Sequence, residues 1–347
     1  MSIFQVALQI QFWSPIIFFS IGAPAACLNA ILFIGVKTFR RSPSAYYVVG
    51  QSLADVSALL IVLFQIVPSI SISASSIACK LMVFFVQMTV SVAMSFLCLS
   101  AFDRWACTSQ SAQIRQLSSI RVARRLFIIP FILWSLVNIP FLIYCDLVPP
   151  IFMCWFTNDL FMKIGVLVLS PILTVLLPLI VLILFELLTY CNIRLVTRIR
   201  QQPNQTRLST WEQQMTRMML TQTLLSIFCT LPRAIFTIYT IATIDESATR
   251  SFDQQSIILL VDQLTVSIAS MNFVSSFYIF LLASPRFRQT IRMCLKRRLN
   301  LGPNQIAPTN ILLTAPTLTG RQIIRGTAYP MVQIESFRRS SIKMTID

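Results

Sequence analysis

Asp103 and Arg104 stand side by side in "FLCLSAFDRWACTSQ", residues 96–110, at the end of an apolar run and just ahead of Trp105. Each charge is costly in hydrocarbon, so a carboxylate and a guanidinium at such a lip are interfacial or functional. Adjacent opposite charges can also exchange partners when helices shift, which makes a bistable element. Deeper in apolar sequence, Asp55 in "SLADVSALL" needs a polar partner, and Arg233, directly after Pro232, needs an anion. That anion is either a ligand group or Asp262, an internal carboxylate farther along the chain. The apolar-segment acids Asp55, Glu186 and Asp262 fall in separate segments at different depths, so they form no catalytic cluster. The sequence has no His, and its nine Cys show no C-x-x-C pair. This excludes a His-bearing metal centre and a His-based triad, and it points away from an enzyme.

The elements that position these groups are lipophilic. The 347 residues are 56% hydrophobic and only 12% charged, with mean hydropathy +0.74, whereas a soluble domain carries about 25% charged residues. Lys plus Arg is 28 and Asp plus Glu is 12, a net charge of +16. In a membrane chain that excess marks loop topology rather than nucleic-acid binding. Met1–Gln11 has no Lys or Arg before the first apolar run, so the first helix is expected to act as the targeting signal.

Seven stretches can span a hydrocarbon core of about 30 Å. They run from Phe12 to Val36, Tyr46 to Ile70, Ile77 to Cys107, Val122 to Tyr144, Phe161 to Val196, Met215 to Ile241 and Ser256 to Ala283. Positive charge sorts between their connections. Lys37, Arg40 and Arg41, then Arg115 to Arg125, then Arg194 to Arg217, then Arg286 to Arg298 mark one side; the other carries Lys80, Lys163 and Arg250 beside five acids. The positive-inside rule puts the N-terminus outside. The expected fold is an all-α, multi-pass plasma-membrane bundle over residues 12–284, after a short extracellular segment 1–11. Residues 285–299, "PRFRQTIRMCLKRRL", read as an amphipathic helix on the anionic leaflet, with Cys294 either palmitoylated or simply buried. Residues 300–347 read as a disordered cytoplasmic tail, with Arg338–Ser341 a weak kinase motif.

Arg104 follows Cys79 by 25 residues, about 37 Å of helix. One helix thus carries a cysteine at its outer mouth and the Asp–Arg pair at its inner mouth. Cys154, in "IFMCWF" of the outer connection, is the preferred disulfide partner of Cys79, and Cys145 is the competitor.

Taken in order, the motifs resemble the rhodopsin-like G-protein-coupled receptors over about residues 12–298. Asn29 in "CLNAILF", Asp55, the "FDRWA" of Asp103–Arg104, Trp134, Pro178 and Pro232 in "FCTLP" fall where that family carries its helix markers. The resemblance implies that Arg104 pairs with Asp103 at rest and meets a G-protein α-subunit on activation. It also implies that Asn29, Asp55, Asn272 and Ser276 share a polar network, as a hydrogen-bonded Asn29–Asp55–Asn272 set or around a sodium ion. Departures are visible. "SFYIF" replaces the segment 7 Asn-Pro-x-x-Tyr, with Phe277 for the proline and Phe280 for the tyrosine; Thr230 replaces the segment 6 Trp, and Ala93 stands where a Ser is expected.

Ligand class is narrowed by what is missing. The residue 18 before Arg104 is Val86, followed by Gln87, not the Asp of amine receptors; segment 7 has no Lys for retinal. Candidate pocket residues are Val86, Gln87, Trp155, Arg233 and Asp262. "CWF" and the "MNFVSSFYIF…SPRFR" ending are loosely similar to invertebrate FMRFamide-like peptide receptors, which implies an extracellular peptide ligand and a heterotrimeric G protein as partners. The alternatives are a chemosensory receptor for environmental molecules or a transporter. The seven glycines and the lack of a visible internal repeat argue against the transporter.

Overall fold

A computed structural model describes residues 2–40, 42–66, 75–148, 153–199, 210–243 and 250–299. Met1–Leu299 form one compact unit; residues 300–347, with the expected tail, lie outside the described residues. Seven helices are long and apolar enough to cross a membrane. They are α1 (Ile3–Gly35), α2 (Pro43–Phe64), α3 (Ser76–Thr108), α4 (Ile120–Tyr144), α5 (Leu177–Ile199), α6 (Thr210–Ala242) and α7 (Phe252–Ala283); Pro285–Leu299 is α8. Helices are the form in which an open chain satisfies its backbone polar groups within hydrocarbon.

Their starts are written in serines. Ser2 accepts from Gln5 N–H while its own N–H donates to Gln5 Oε1, both at 3.3 Å. This capping box begins α1 at Ile3, so the stretch 3–11, expected as a separate segment before the first span, is part of its helix. Ser251 makes the same box with Gln254 at α7, and Ser75 and Ser119 cap α3 and α4 by accepting from the N–H groups of Ala78 and Val122. α5 differs from a simple span: Asp159–Ile164 is α-helical, Gly165–Leu176 is wound as a wide π-helix, and α5 proper follows.

α3 runs through the middle, against α2, α4, α5 and α6, while α1 packs on α2 and α7, and α6 on α7. The buried side of α1 carries Gly22, Ala23, Ala25, Ala26 and Ala30. Small residues let helix backbones approach closely in lipid, where dispersion rather than water drives packing. At the end that holds Cys79, strand Cys145–Val148 pairs antiparallel with Met153–Phe156, with Leu147 opposite Cys154. At the other end, rings of Phe33, Phe39, Phe280 and Phe287 pack together, with centroids 5.0 Å apart for Phe33–Phe39 and 5.8 Å for Phe39–Phe287. Phe287 ties α8 to the bundle; the Cys294 side chain is outside the described residues.

Candidate functional site

Three polar sites lie along the bundle. The first is at the Arg104 end. Asp103 and Arg104 are 2% and 3% exposed, and Arg104 Nη2 meets Asp103 Oδ2 at 2.5 Å. They lie on the last turns of α3, where the helix lies against α2, α4 and α6. The hydroxyl of Ser44, in the first turn of α2, donates to Asp103 Oδ2 at 2.5 Å and contacts Arg104 Nη2. Ser118, in the turn before α4, donates to Asp103 Oδ1 at 2.7 Å. Arg104 Nη1 reaches across to Thr216 Oγ1 on α6 at 3.3 Å, and Glu212, one turn earlier, adds electrostatic attraction. The carboxylate is therefore well supplied with donors, while Arg104 Nε, buried, lacks a protein partner. A guanidinium with a spare donor, held between a carboxylate and a neighbouring helix, can change partners when that helix moves.

The middle of the bundle holds Asn29, Asp55, Asn272 and Ser276, all at most 5% exposed. The hydrogen-bonded Asn29–Asp55–Asn272 set does not form. Asn29 donates to Ser52 Oγ at 3.2 Å and Asn272 donates to Thr230 Oγ1 at 2.9 Å, each to a nearer hydroxyl. Both Asp55 oxygens, Asn29 Oδ1 and Asn272 Oδ1 are left without a protein donor. Thr230, read from sequence only as a lost aromatic, thus serves as the α6 partner of Asn272. Tyr278, near the missing segment 7 tyrosine, points away: its hydroxyl donates to the Ile21 carbonyl on α1 at 3.3 Å.

The third site is an open cavity of about 620 Å³ at the Cys79 end, lined by α3, α4, α6, α7, the π-helix and the hairpin. Gln87, Trp155, Arg233 and Asp262 line it; Val86 does not. Phe156, Phe236, Ile258 and Leu259 make its walls apolar, and Arg250 stands at the rim with its guanidinium donating to the Thr243 carbonyl at 2.8 Å. Arg233 pairs with Asp262 at 2.5 Å, so the internal anion is taken, although both side chains keep 27% and 33% of their surface open. Cys79 and Cys154 are bonded, with Cα atoms 5.6 Å apart, and pin the hairpin over this mouth. Cys145, the competitor, is a buried free thiol whose pKa burial pushes up to about 11. Two packing markers complete the frame. Trp134 donates to Ser95 Oγ at 2.6 Å, joining α4 to α3, and the Pro178 carbonyl accepts from Cys98 Sγ at 3.7 Å, joining α5 to α3.

The family model described as "7 transmembrane receptor (rhodopsin family)" matches residues 28–280. The chain belongs to that family. The match runs from the residue before Asn29 to Phe280 and so takes in all three polar sites. The receptor is a multi-pass plasma-membrane protein, not an enzyme; its partners are an extracellular ligand and a heterotrimeric G protein. No curated protein matches the receptor's sequence.

Among the described residues, no group of three or more His, Cys, Asp or Glu side chains gathers to hold a metal. Sequence reasoning reached Asp103, Arg104 and the disulfide but missed Ser44, Ser118 and Thr216. The available signal was a polar side chain inside an apolar segment, and it names no partner.

Proposed function

We propose that the receptor binds an extracellular peptide in the cavity beside Arg233 and Asp262 and passes the signal to a G protein at the Arg104 end. The Cys79 end is then extracellular and the Arg104 end cytoplasmic, as the distribution of Lys and Arg between the connections indicates. The single observation that carries the ligand assignment is the cavity's make-up: about 620 Å³, apolar walls and one half-open ion pair. That volume suits a drug-sized group or the terminal residues of a peptide. A ligand anion takes Arg233, or a ligand cation takes Asp262, by exchange for the internal partner. The loose likeness of "CWF" and "SPRFR" to FMRFamide-like peptide receptors supports a peptide over an environmental small molecule.

Pro232 divides α6 into an outer part with Arg233 and an inner part with Thr216. A proline inside a helix is a place where it bends. Ligand-driven rearrangement at Arg233 favours an outward swing of the inner part, which breaks the Arg104–Thr216 contact and frees the guanidinium for the G-protein α-subunit. A ligand can bias this equilibrium only by its differential affinity for the two states. A sodium ion at Asp55 belongs to the same proposal, supported by the carboxylate and amide oxygens buried there without donors.

The test is a G-protein dissociation sensor in cells that display the receptor, challenged with pooled amidated peptides, beside an Arg104→Ala variant at matched surface level. A response that the variant loses supports the reading. Silence from well-displayed receptor, together with a response to small environmental molecules, overturns the peptide assignment.

A further inference from the structure

We infer that Gln51 and Gln222 form a latch that holds the receptor in its resting state, making them positioning residues for coupling to the G protein. Gln222 Nε2 donates to Gln51 Oε1 at 3.0 Å, joining α6 to α2 across 171 positions of sequence. The two side chains are 2% and 5% exposed. α6 packs chiefly on α7, and α2 on α1 and α3. Ala45 and Val48 of α2 share one apolar cluster with Met215, Met218 and Met219 of α6, and the amide pair adds a direct polar bond between the two helices.

The position gives the bond its role. Gln222 lies on the inner part of α6, about 15 Å of helix from Pro232, and Thr216 lies about 9 Å farther along. The latch and the Arg104–Thr216 contact therefore sit on one lever below one hinge. A hydrogen bond at 3.0 Å is lost once the atoms part beyond about 3.5 Å, so a swing of a few degrees breaks both. In the closed state both amides are buried, and the Gln222 N–H donates to the Gln51 carbonyl oxygen. In the open state water entering from the Arg104 end can wet them. The bond thus distinguishes the two states, as a switch element must.

This inference rests on the proposed α6 swing, and its test separates the two. Gln51→Met, Gln222→Met and the double variant keep side-chain length and remove the bond; Gln51→Glu keeps an acceptor oxygen for Gln222. Basal G-protein dissociation is measured per displayed receptor. An interhelical hydrogen bond in lipid is worth a factor of about 3 to 20 in an equilibrium, so each methionine variant should raise basal signalling by that factor. The double variant should rise no further than the larger single, and Gln51→Glu should stay at or below the native level. In parallel, hydrogen–deuterium exchange of the 215–227 stretch is followed in the purified full chain in lipid nanodiscs. Faster exchange in all three methionine variants supports the latch even if every variant is silent with G protein, in which case the coupling proposal alone falls. Single effects that multiply in the double variant overturn the latch. So does native-rate exchange in the methionine variants, or a rise in Gln51→Glu equal to that of Gln51→Met.

Discussion

Ser118 donates its hydroxyl to Asp103 Oδ1 across 2.7 Å, so the carboxylate that faces Arg104 also fixes the turn leading into α4. Asp103 thereby couples three elements: its own helix, the start of α2 through Ser44, and this turn. The first prediction concerns that carboxylate.

Asp103→Asn keeps the shape and removes the charge, leaving Arg104 buried without its counter-ion. Taking one member from a buried pair costs about 3–5 kcal/mol. Because Arg104 escapes that cost by moving toward water, basal G-protein dissociation should rise while the melting temperature in detergent falls. Ser118→Ala should show the same signs at a smaller size, because a hydrogen bond to a charged group contributes about 1.5–3 kcal/mol. Basal signalling at the native level in Asp103→Asn would refute the assignment.

Cys79→Ser and Cys154→Ser should each cost the same as the double change, since one bond is lost in all three. For a cross-link between positions 75 apart, the chain-entropy estimate is about 4.5 kcal/mol, enough to deplete surface display. Cys145 should not substitute. Buried and shifted up to about 11, it is protonated at neutral pH and should resist maleimide until the chain is unfolded. Mass spectrometry after labelling reads both points.

Gly50→Ala tests the α2–α3 approach. A Cβ there would meet the Phe96 ring at 2.5 Å, and that ring is fully buried against Phe127 and Phe131. Overpacking of this kind costs about 1–3 kcal/mol, so the melting temperature should drop by several degrees. Gly35→Ala, with nothing within 4 Å of its Cβ, should be neutral or slightly stabilising.

Asp146 gives an acid-dependent signal. Hydrogen bonds, first from Ser76, then from the Leu147 N–H and Lys80, hold its carboxyl below the ordinary carboxylate range, and Lys80 Nζ lies 3.2 Å away. A carboxyl whose pKa is depressed on folding stabilises above its unfolded value, about 3.9, and that share is lost as pH falls through the folded value. Melting temperatures should therefore be insensitive to this residue between pH 5 and 8 and should fall below about pH 4. In Asp146→Asn the acid limb should be shallower.

The seven spans were legible because hydropathy over twenty residues is a property of the segment alone, and the sidedness of Lys and Arg follows from the same rule. The Asp103–Arg104 pair was legible for a related reason, since adjacent charges in an apolar run announce themselves. Partner choice was not. Asn272 and Asp55 carry the right groups to bond, yet Asn272 takes Thr230, on the helix against which α7 packs far more than it does on α2. Gln51 and Gln222 are unremarkable polar residues until two helices are laid together. Within the π-helix of Gly165–Leu176, the face that a residue presents does not follow the 3.6-residue period from which amphipathicity is read, so which residues of this stretch meet the cavity was hidden.

The four phenylalanines at the Arg104 end pack as a shared axle. Phe33 belongs to α1, Phe39 to the short turn after it, Phe280 to α7 and Phe287 to α8, and all four are at most 1% exposed. Phe280 fills the place where a tyrosine hydroxyl would otherwise be able to trade hydrogen bonds during activation. A ring without that hydroxyl packs by shape alone, and here it joins α7 to Phe33 of α1 and Phe287 of α8. The polar contacts of the proposed switch, Arg104–Thr216 and Gln222–Gln51, lie instead on α6.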